Sequence, residues 1–528
     1  MSAKAPARRR ALAAVVAAVA VVCAVTLLLG EPLEVADVDA IRTGHPAVAQ
    51  AAETPADLTK IVVTSAPVAG SRPIAPGFLG LSFEFRGVRA YTGANPRRIN
   101  PVLEQLVRNL APGQAPVLRI GGDSTDSTWW PTSRLLRPGG VSYALTPAWL
   151  ATTRALVRDL GARVILGVNL EAARPTLARA EAQALITGLR RSAVQAIEIG
   201  NEPSTYGKFP WYRRGNELVY ARRHGYRFAN FIRDFSSFRR RLPQIPLAGP
   251  SLGGYGWMPR LRAFLNAEPA VSTVTFHRYP LDRCFAPPGS AEQATLRNLL
   301  SPFAASGFLA HIPRYAALAH AHGDAFRIDE MNSVACSGKR GLSDTFASAL
   351  WVVDALFEMV RAGVDGVNVH TFPGAAYQLF AFKRQAGRWS ALVEPEYYGL
   401  LLFARAAPPT SRLLEVKSTT PRSVKTWATE APDGAVHVVI INKSLHTRLN
   451  AVVRMPGLAH VATFQRMTAP AAAAEHGVAL AGQRFAAPSN TGRLMGPVQT
   501  YSLRVSAGGF HVTLGPASAA LLSSQSNG

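Results

Sequence analysis

The chain has 528 residues, 48% of them hydrophobic and 17% charged, which excludes a disordered polypeptide and exceeds an ordinary single domain. Its formal charge of +24 points either to an acidic partner (nucleic acid, an anionic membrane surface, an acidic polysaccharide) or to GC-rich coding, since the basic residues are mostly Arg and Ala is abundant. No dense Lys/Arg run with interleaved aromatics lies beyond the N-terminus, which argues against nucleic acid.

Lys4, Arg8, Arg9 and Arg10 precede an apolar run from Ala11 to Leu29, broken only by Thr26. Residues 1–30 are therefore expected to form a signal peptide or a membrane anchor. No small-x-small cleavage site follows the run immediately, which favours the anchor; in both cases the remainder is exported. Residues 31–60 are Ala-, Pro- and acid-rich without a sustained period and read as a linker. Residues 61–75 begin with "IVVTSAPV", a strand expected to pair into a later β-domain.

From residue 76 to 405 eight short apolar runs alternate with helical patterns: "FLGLSFE", "PVLRIGGD", "ARVILGVNL", "AIEIGNEP", "PLAGPSL", "VSTVTFHRYP", "FRIDEMNS" and "GVNVHTF". Between them lie stretches read as amphipathic, such as "TPAWLATTRALVRDLG" and "GLSDTFASALWVVDALFEMVRAG". Strands alternating with helices imply parallel βαβ units, and eight of them imply a closed (β/α)8 barrel. Glu84, Asp123, Asn169, Asn201, Glu202, His277, Tyr279, Glu330, Asn332 and His370 fall at or just past the C-terminal ends of seven of these runs. In such a barrel that end carries the active site; only the fifth run offers no strong candidate. Residues 406–528 change to short alternating runs with turn residues between them and no helices, an all-β sandwich expected mainly to brace the barrel.

Glu202 ends the fourth run and Glu330 the seventh, so both point to the barrel mouth. A carboxylate is almost never fully buried without a partner, and two facing one bond are what glycoside hydrolysis requires. One must be protonated as general acid and the other ionised as nucleophile, with surroundings that separate their pKa values. No His–x–x–x–His or Asp–x–Asp spacing accompanies them, so no metal or other cofactor is expected.

Asn–Glu–Pro on strand four with a Glu on strand seven resembles the large retaining superfamily of (β/α)8 glycosidases. Beyond the leader, the pieces "LRIGGDSTD", "VILGVNL", "EIGNEPSTYG", "FHRYP", "DEMNSVACSGKRG" and "GAAYQLF", in that order and followed by a β-sandwich, resemble glycoside hydrolase family 79, the heparanase and β-glucuronidase group. The resemblance implies Glu202 as acid/base, Glu330 as nucleophile, Asn201 on the sugar 2-hydroxyl and Tyr279 hydrogen-bonded to Glu330. It also implies that Glu84 and Asp123, with Ser124 beside them and Asn169 on the next strand, hold substrate. Tyr377 and the backbone of Cys336, Ser337 and Gly338 would receive a uronic acid's carboxylate, with Ser337–Gly338 standing where the animal enzymes carry a run of glycines. The expected substrate is a glucuronide or acidic polysaccharide, heparan sulfate-like polymers among them. The alternatives are a neutral-sugar glycosidase of the same superfamily or a non-catalytic polysaccharide-binding protein.

Three cysteines are present, and Cys23 belongs to the apolar leader. Cys284 and Cys336 lie just past strands six and seven, neighbours in a barrel, and export favours a disulfide between them.

Overall fold

The computed structural model describes residues 58–457 and 460–524; the apolar leader and the linker to residue 57 lie outside these, so the anchor expectation is not addressed by it. Eight parallel strands close into a barrel: β1 (Leu79–Glu84), β2 (Val117–Gly121), β3 (Arg163–Val168), β4 (Val194–Ile199), β5 (Leu247–Leu252), β6 (Val271–Arg278), β7 (Ala325–Met331) and β8 (Gly366–Thr371). Almost every residue in them is buried, as expected where helices cover the outside and side chains fill the inside. Helix starts are set locally. Pro101, Pro147 and Pro175 each occupy a first helical position, and Asn100 and Thr146 accept backbone N–H groups as caps.

The ladder of β7 is irregular against both neighbours, between Thr275 and His277 of β6 and between Ile328 and Met331 opposite β8. Strict alternation would send Asp329 and Glu330 to opposite faces; the irregularity lets both reach the same buried arginine.

Nine C-terminal strands and one from before the barrel form a single ten-stranded sheet. The strand Thr59–Pro67, from before the barrel, lies inside this sheet, antiparallel to Arg412–Ser418 and parallel to Leu449–Arg454. The sheet curls so that Ile61, Val63, Val453 and Val512 share a core with Val438, Ile440, Phe464 and Leu522. Alternate residues on the same strands (Val439, Ile441, Ala519, Leu521) face the other way and join the barrel's core. This second layer explains one departure from expectation. The helix Phe346–Arg361 is buried on all faces instead of being amphipathic, because the sheet covers the side that would otherwise meet water. Its Asp354 accepts a hydrogen bond from Trp427 Nε1 at 2.8 Å and pairs with the buried Lys443, tying the two layers together.

Candidate active site

At the centre of the barrel Arg119, on β2, is fully buried. A guanidinium there must be matched by carboxylates. It donates to Glu198 Oε2 through Nε at 2.9 Å and Nη2 at 2.7 Å, and to Glu330 Oε2 through Nη1 at 2.6 Å; its Nε lies 3.1 Å from Asp329 Oδ2. Nη2 also donates to Asn201 Oδ1 at 2.9 Å, which turns the Asn201 amide nitrogen toward Asp123 Oδ1, 3.3 Å away.

Glu330 ends β7 on this platform. Tyr279 donates its hydroxyl to Oε1 at 2.9 Å. Burial alone would raise its pKa, but His370, His277, Arg119 and the Tyr279 hydroxyl together hold it far below the usual carboxylate range. His277 donates from Nδ1 to Glu202 Oε1 at 3.0 Å, and Nδ1 is 4.0 Å from Glu330 Oε2. Burial disfavours the imidazolium; the Glu330 charge, the Glu202 hydrogen bond and Asp329 outweigh burial and Arg119 and push its pKa up to about 9. In the charged form Nε2 donates to Ser251 Oγ at 3.1 Å.

Glu202 follows β4 in the left-handed region, at φ 49, held there by its N–H donating to Ser251 O at 2.9 Å. A Cβ on Gly253 would lie 2.3 Å from its carboxyl carbon, so the glycine makes room for the carboxylate. The fifth strand, which offers no candidate in the sequence, thus contributes Ser251 and Gly253 as the seat of Glu202. Unlike Glu330, whose side chain is 9% exposed, that of Glu202 is 28% exposed and opens to the cleft. One oxygen of each lies within 4.8 Å of the other, with a His277 nitrogen inside the same radius. That spacing would also suit a cation, but His277 spends Nδ1 as a donor to Glu202 and the Arg119 guanidinium already lies on Glu330, so the group is charge-balanced and does not fit a metal.

A cleft of about 440 Å³ unites Glu84, Asp123, Glu202, Tyr279, Glu330, Cys336, Ser337 and Tyr377. Glu84 is clamped by the N–H groups of Asp123 (3.1 Å) and Ser124 (2.8 Å). Asp123 opens onto the cleft; enclosure by its walls, then the charges of Glu84, Glu202 and Glu330, push its pKa up to about 7. Tyr377 stands against Tyr279 and His370, at ring distances of 6.1 and 6.0 Å, and a side chain at Gly338 would collide with it.

Three expected contacts are not made. Asn169 is fully buried and spends its amide on the carbonyls of Asp126 and Thr128. Ser124 is buried, its hydroxyl accepting from Phe85 N and donating to Gly121 O. Both hold loops and leave nothing for a ligand. The Gly338 N–H donates to Val334 O at 3.1 Å, so Cys336 and Ser337 alone bring that backbone to the cleft wall. Lys339 turns away to Ala294 O. Cys284 and Cys336 are joined by a disulfide, with Cα atoms 6.3 Å apart. Cys336 and Ser337 both take left-handed φ values, 62 and 68, unusual for residues with a side chain. The disulfide and the Ala376 N–H on Ser337 O (2.7 Å) hold them there.

Arg119, Glu198 and Asp329 are not among the residues singled out in the sequence, although their signal was present: charged residues inside runs otherwise read as buried.

No protein-family model matches the chain. It is 26% identical over 415 residues to a β-glucuronidase of Neurospora crassa, 71% of each chain. Among solved structures it is similar to a 4-O-α-L-rhamnosyl-β-D-glucuronidase of Fusarium oxysporum 12S (TM-score 0.68, 20% identity, 88% of this chain and 99% of that one). A GH51 arabinofuranosidase of Xanthomonas axonopodis pv. citri matches with TM-score 0.61 and 16% identity, over 88% of this chain and all of the other. The structures establish the fold, a (β/α)8 barrel joined to a β-domain; with the curated relative and the paired carboxylates, the chain is a glycoside hydrolase.

Proposed function

We propose that this glycoside hydrolase is a retaining β-glucuronidase, removing β-linked glucuronic acid from glycosides or acidic polysaccharides. The observation that carries the reading is the Glu202–Glu330 pair, whose nearest oxygens lie within 4.8 Å across the cleft. Retaining enzymes keep their carboxyl groups about 5–5.5 Å apart, whereas inverting ones need room for a water between them. The two environments suit opposite roles. Glu330, neutralised by Arg119 and two histidines, is ionised and attacks the anomeric carbon. Glu202, open to the cleft and oriented by His277, gives its proton to the departing glycosidic oxygen. The C–O bond breaks as the glycosyl–Glu330 ester forms. Glu202, now a carboxylate, takes a proton from water, whose oxygen displaces Glu330 and restores the starting configuration. Asn201, oriented by Arg119, is placed for the 2-hydroxyl.

The glucuronate preference is supported by the likeness to the Neurospora enzyme and by the wall beside Glu330. There the Tyr377 hydroxyl and the Cys336–Ser337 backbone offer neutral donors to a carboxylate. The disulfide and the basic, apolar leader support an exported enzyme, secreted or anchored through residues 1–30.

The test is hydrolysis of a panel of aryl β-glycosides. Cleavage of the glucuronide well above the glucoside and xyloside is expected. The reverse order would assign a neutral-sugar glycosidase.

A further inference from the structure

At the opposite end of the barrel from Glu202 a groove of about 630 Å³ is lined by Arg97, Arg154, Arg158, Arg163 and Arg190, with no carboxylate and no aromatic ring among its lining residues. Arg163 begins β3 and Arg190 lies just before β4, so strands of six residues, roughly 15–20 Å, separate the groove from the catalytic mouth. All five arginines are exposed. Arg158 pairs with Asp159; among the described residues none of the other four forms an ion pair. Arg190 follows the helix Pro175–Leu189 as its C-terminal cap and lines the groove.

Guanidinium groups crowded into one concavity repel one another until an anion neutralises them, and their planar forks match carboxylate and sulfate oxygens. The shape narrows the partner. A bilayer is flat and would meet a convex basic face, whereas a groove admits a chain. Without aromatic platforms it lacks what holds unpaired bases.

We propose that this groove docks a linear acidic polysaccharide on the face away from the catalytic cleft. Docking would raise the local concentration of polymer around the enzyme. That consequence for turnover rests on the acidic-polysaccharide reading above; the binding itself does not.

The experiment compares the full chain with its Arg154→Ala/Arg158→Ala/Arg190→Ala variant, using dextran sulfate as probe beside neutral dextran and a short DNA duplex over a salt series. The variant should bind dextran sulfate at least ~10-fold more weakly, with a log–log salt slope shallower by about 2–3, near one per arginine removed. The basic N-terminus is common to both chains and cancels. An Arg→Lys triple variant, which keeps the charge, should retain most of the slope. If the alanine variant does not fold, Arg154→Glu alone carries the same expectation in direction. Unchanged dextran sulfate affinity, equal affinity for neutral dextran, or tighter binding of DNA than of dextran sulfate at equal salt would each overturn the proposal. Because the readout is binding, absence of glucuronidase activity would leave the result standing.

Discussion

Glu330 carries its charge inside the barrel because His370, His277 and the buried Arg119 guanidinium, itself fixed by Glu198, surround its carboxylate. Removing the charge at Glu330 leaves nothing to attack the anomeric carbon, so Glu330→Gln should abolish turnover of every substrate. Glu202→Gln should lose about 10²–10⁴-fold on glycosides with poor leaving groups, the usual worth of a general acid. It should largely spare the first step for highly activated aryl glycosides, measured as a pre-steady-state burst; equal losses in both variants would contradict the assignment. Gly253→Ala gives a finer test. The new Cβ meets the flexible end of Glu202, not backbone, so the carboxyl should shift while the barrel stays folded. The expected result is a kcat loss confined to substrates that need the acid, with Tm nearly unchanged. Tyr377→Phe should cost glucuronides roughly 1–3 kcal/mol in kcat/KM, the range for a hydrogen bond to a charge, and other glycosides much less.

Among the elements, all eight barrel strands were legible as apolar runs, seven of them ending in polar residues, because a parallel barrel buries both strand faces and gathers its active-site residues at the C-terminal ends. Three features were not. The burial of Phe346–Arg361 on every side depends on a sheet that closes over it from the C-terminal domain and from Thr59–Pro67, a non-local fact. The irregularity of β7 that turns both Asp329 and Glu330 inward has no marker in the alternation. Asn169 and Ser124 hold loops instead of substrate, since a polar residue at a strand end serves a loop as readily as a ligand. Asp354 links the two layers through Trp427 and Lys443. Asp354→Ala leaves the Lys443 ammonium buried without its partner, and should destabilise by about 3–5 kcal/mol, as broken buried pairs do. Denaturant titration measures it. A Lys443→Met/Asp354→Leu double variant should recover much of that loss.

At the scale of the whole molecule, the titrating groups of the cleft set a pH range. Glu330 has a folded pKa below its unfolded value, so its contribution to stability is present above about 4.5 and lost as pH falls. His277, raised from 6.5 to about 9, contributes below 6.5 and loses that contribution as pH rises through 9. Asp123, raised from 3.8 to about 7, also loses stability with rising pH, over 3.8 to 7. Tm should therefore be highest at roughly pH 4–5 and fall toward pH 9 as Asp123 and then His277 lose their protons; His277→Asn should reduce the alkaline part of that fall. The proposed mechanism requires that Glu202 and Glu330 act together through a covalent glycosyl-enzyme. The most direct test is the configuration of the first-formed sugar when an aryl β-glucuronide is hydrolysed and followed by proton NMR before mutarotation. Double displacement releases the β-anomer first; initial release of the α-anomer would rule it out.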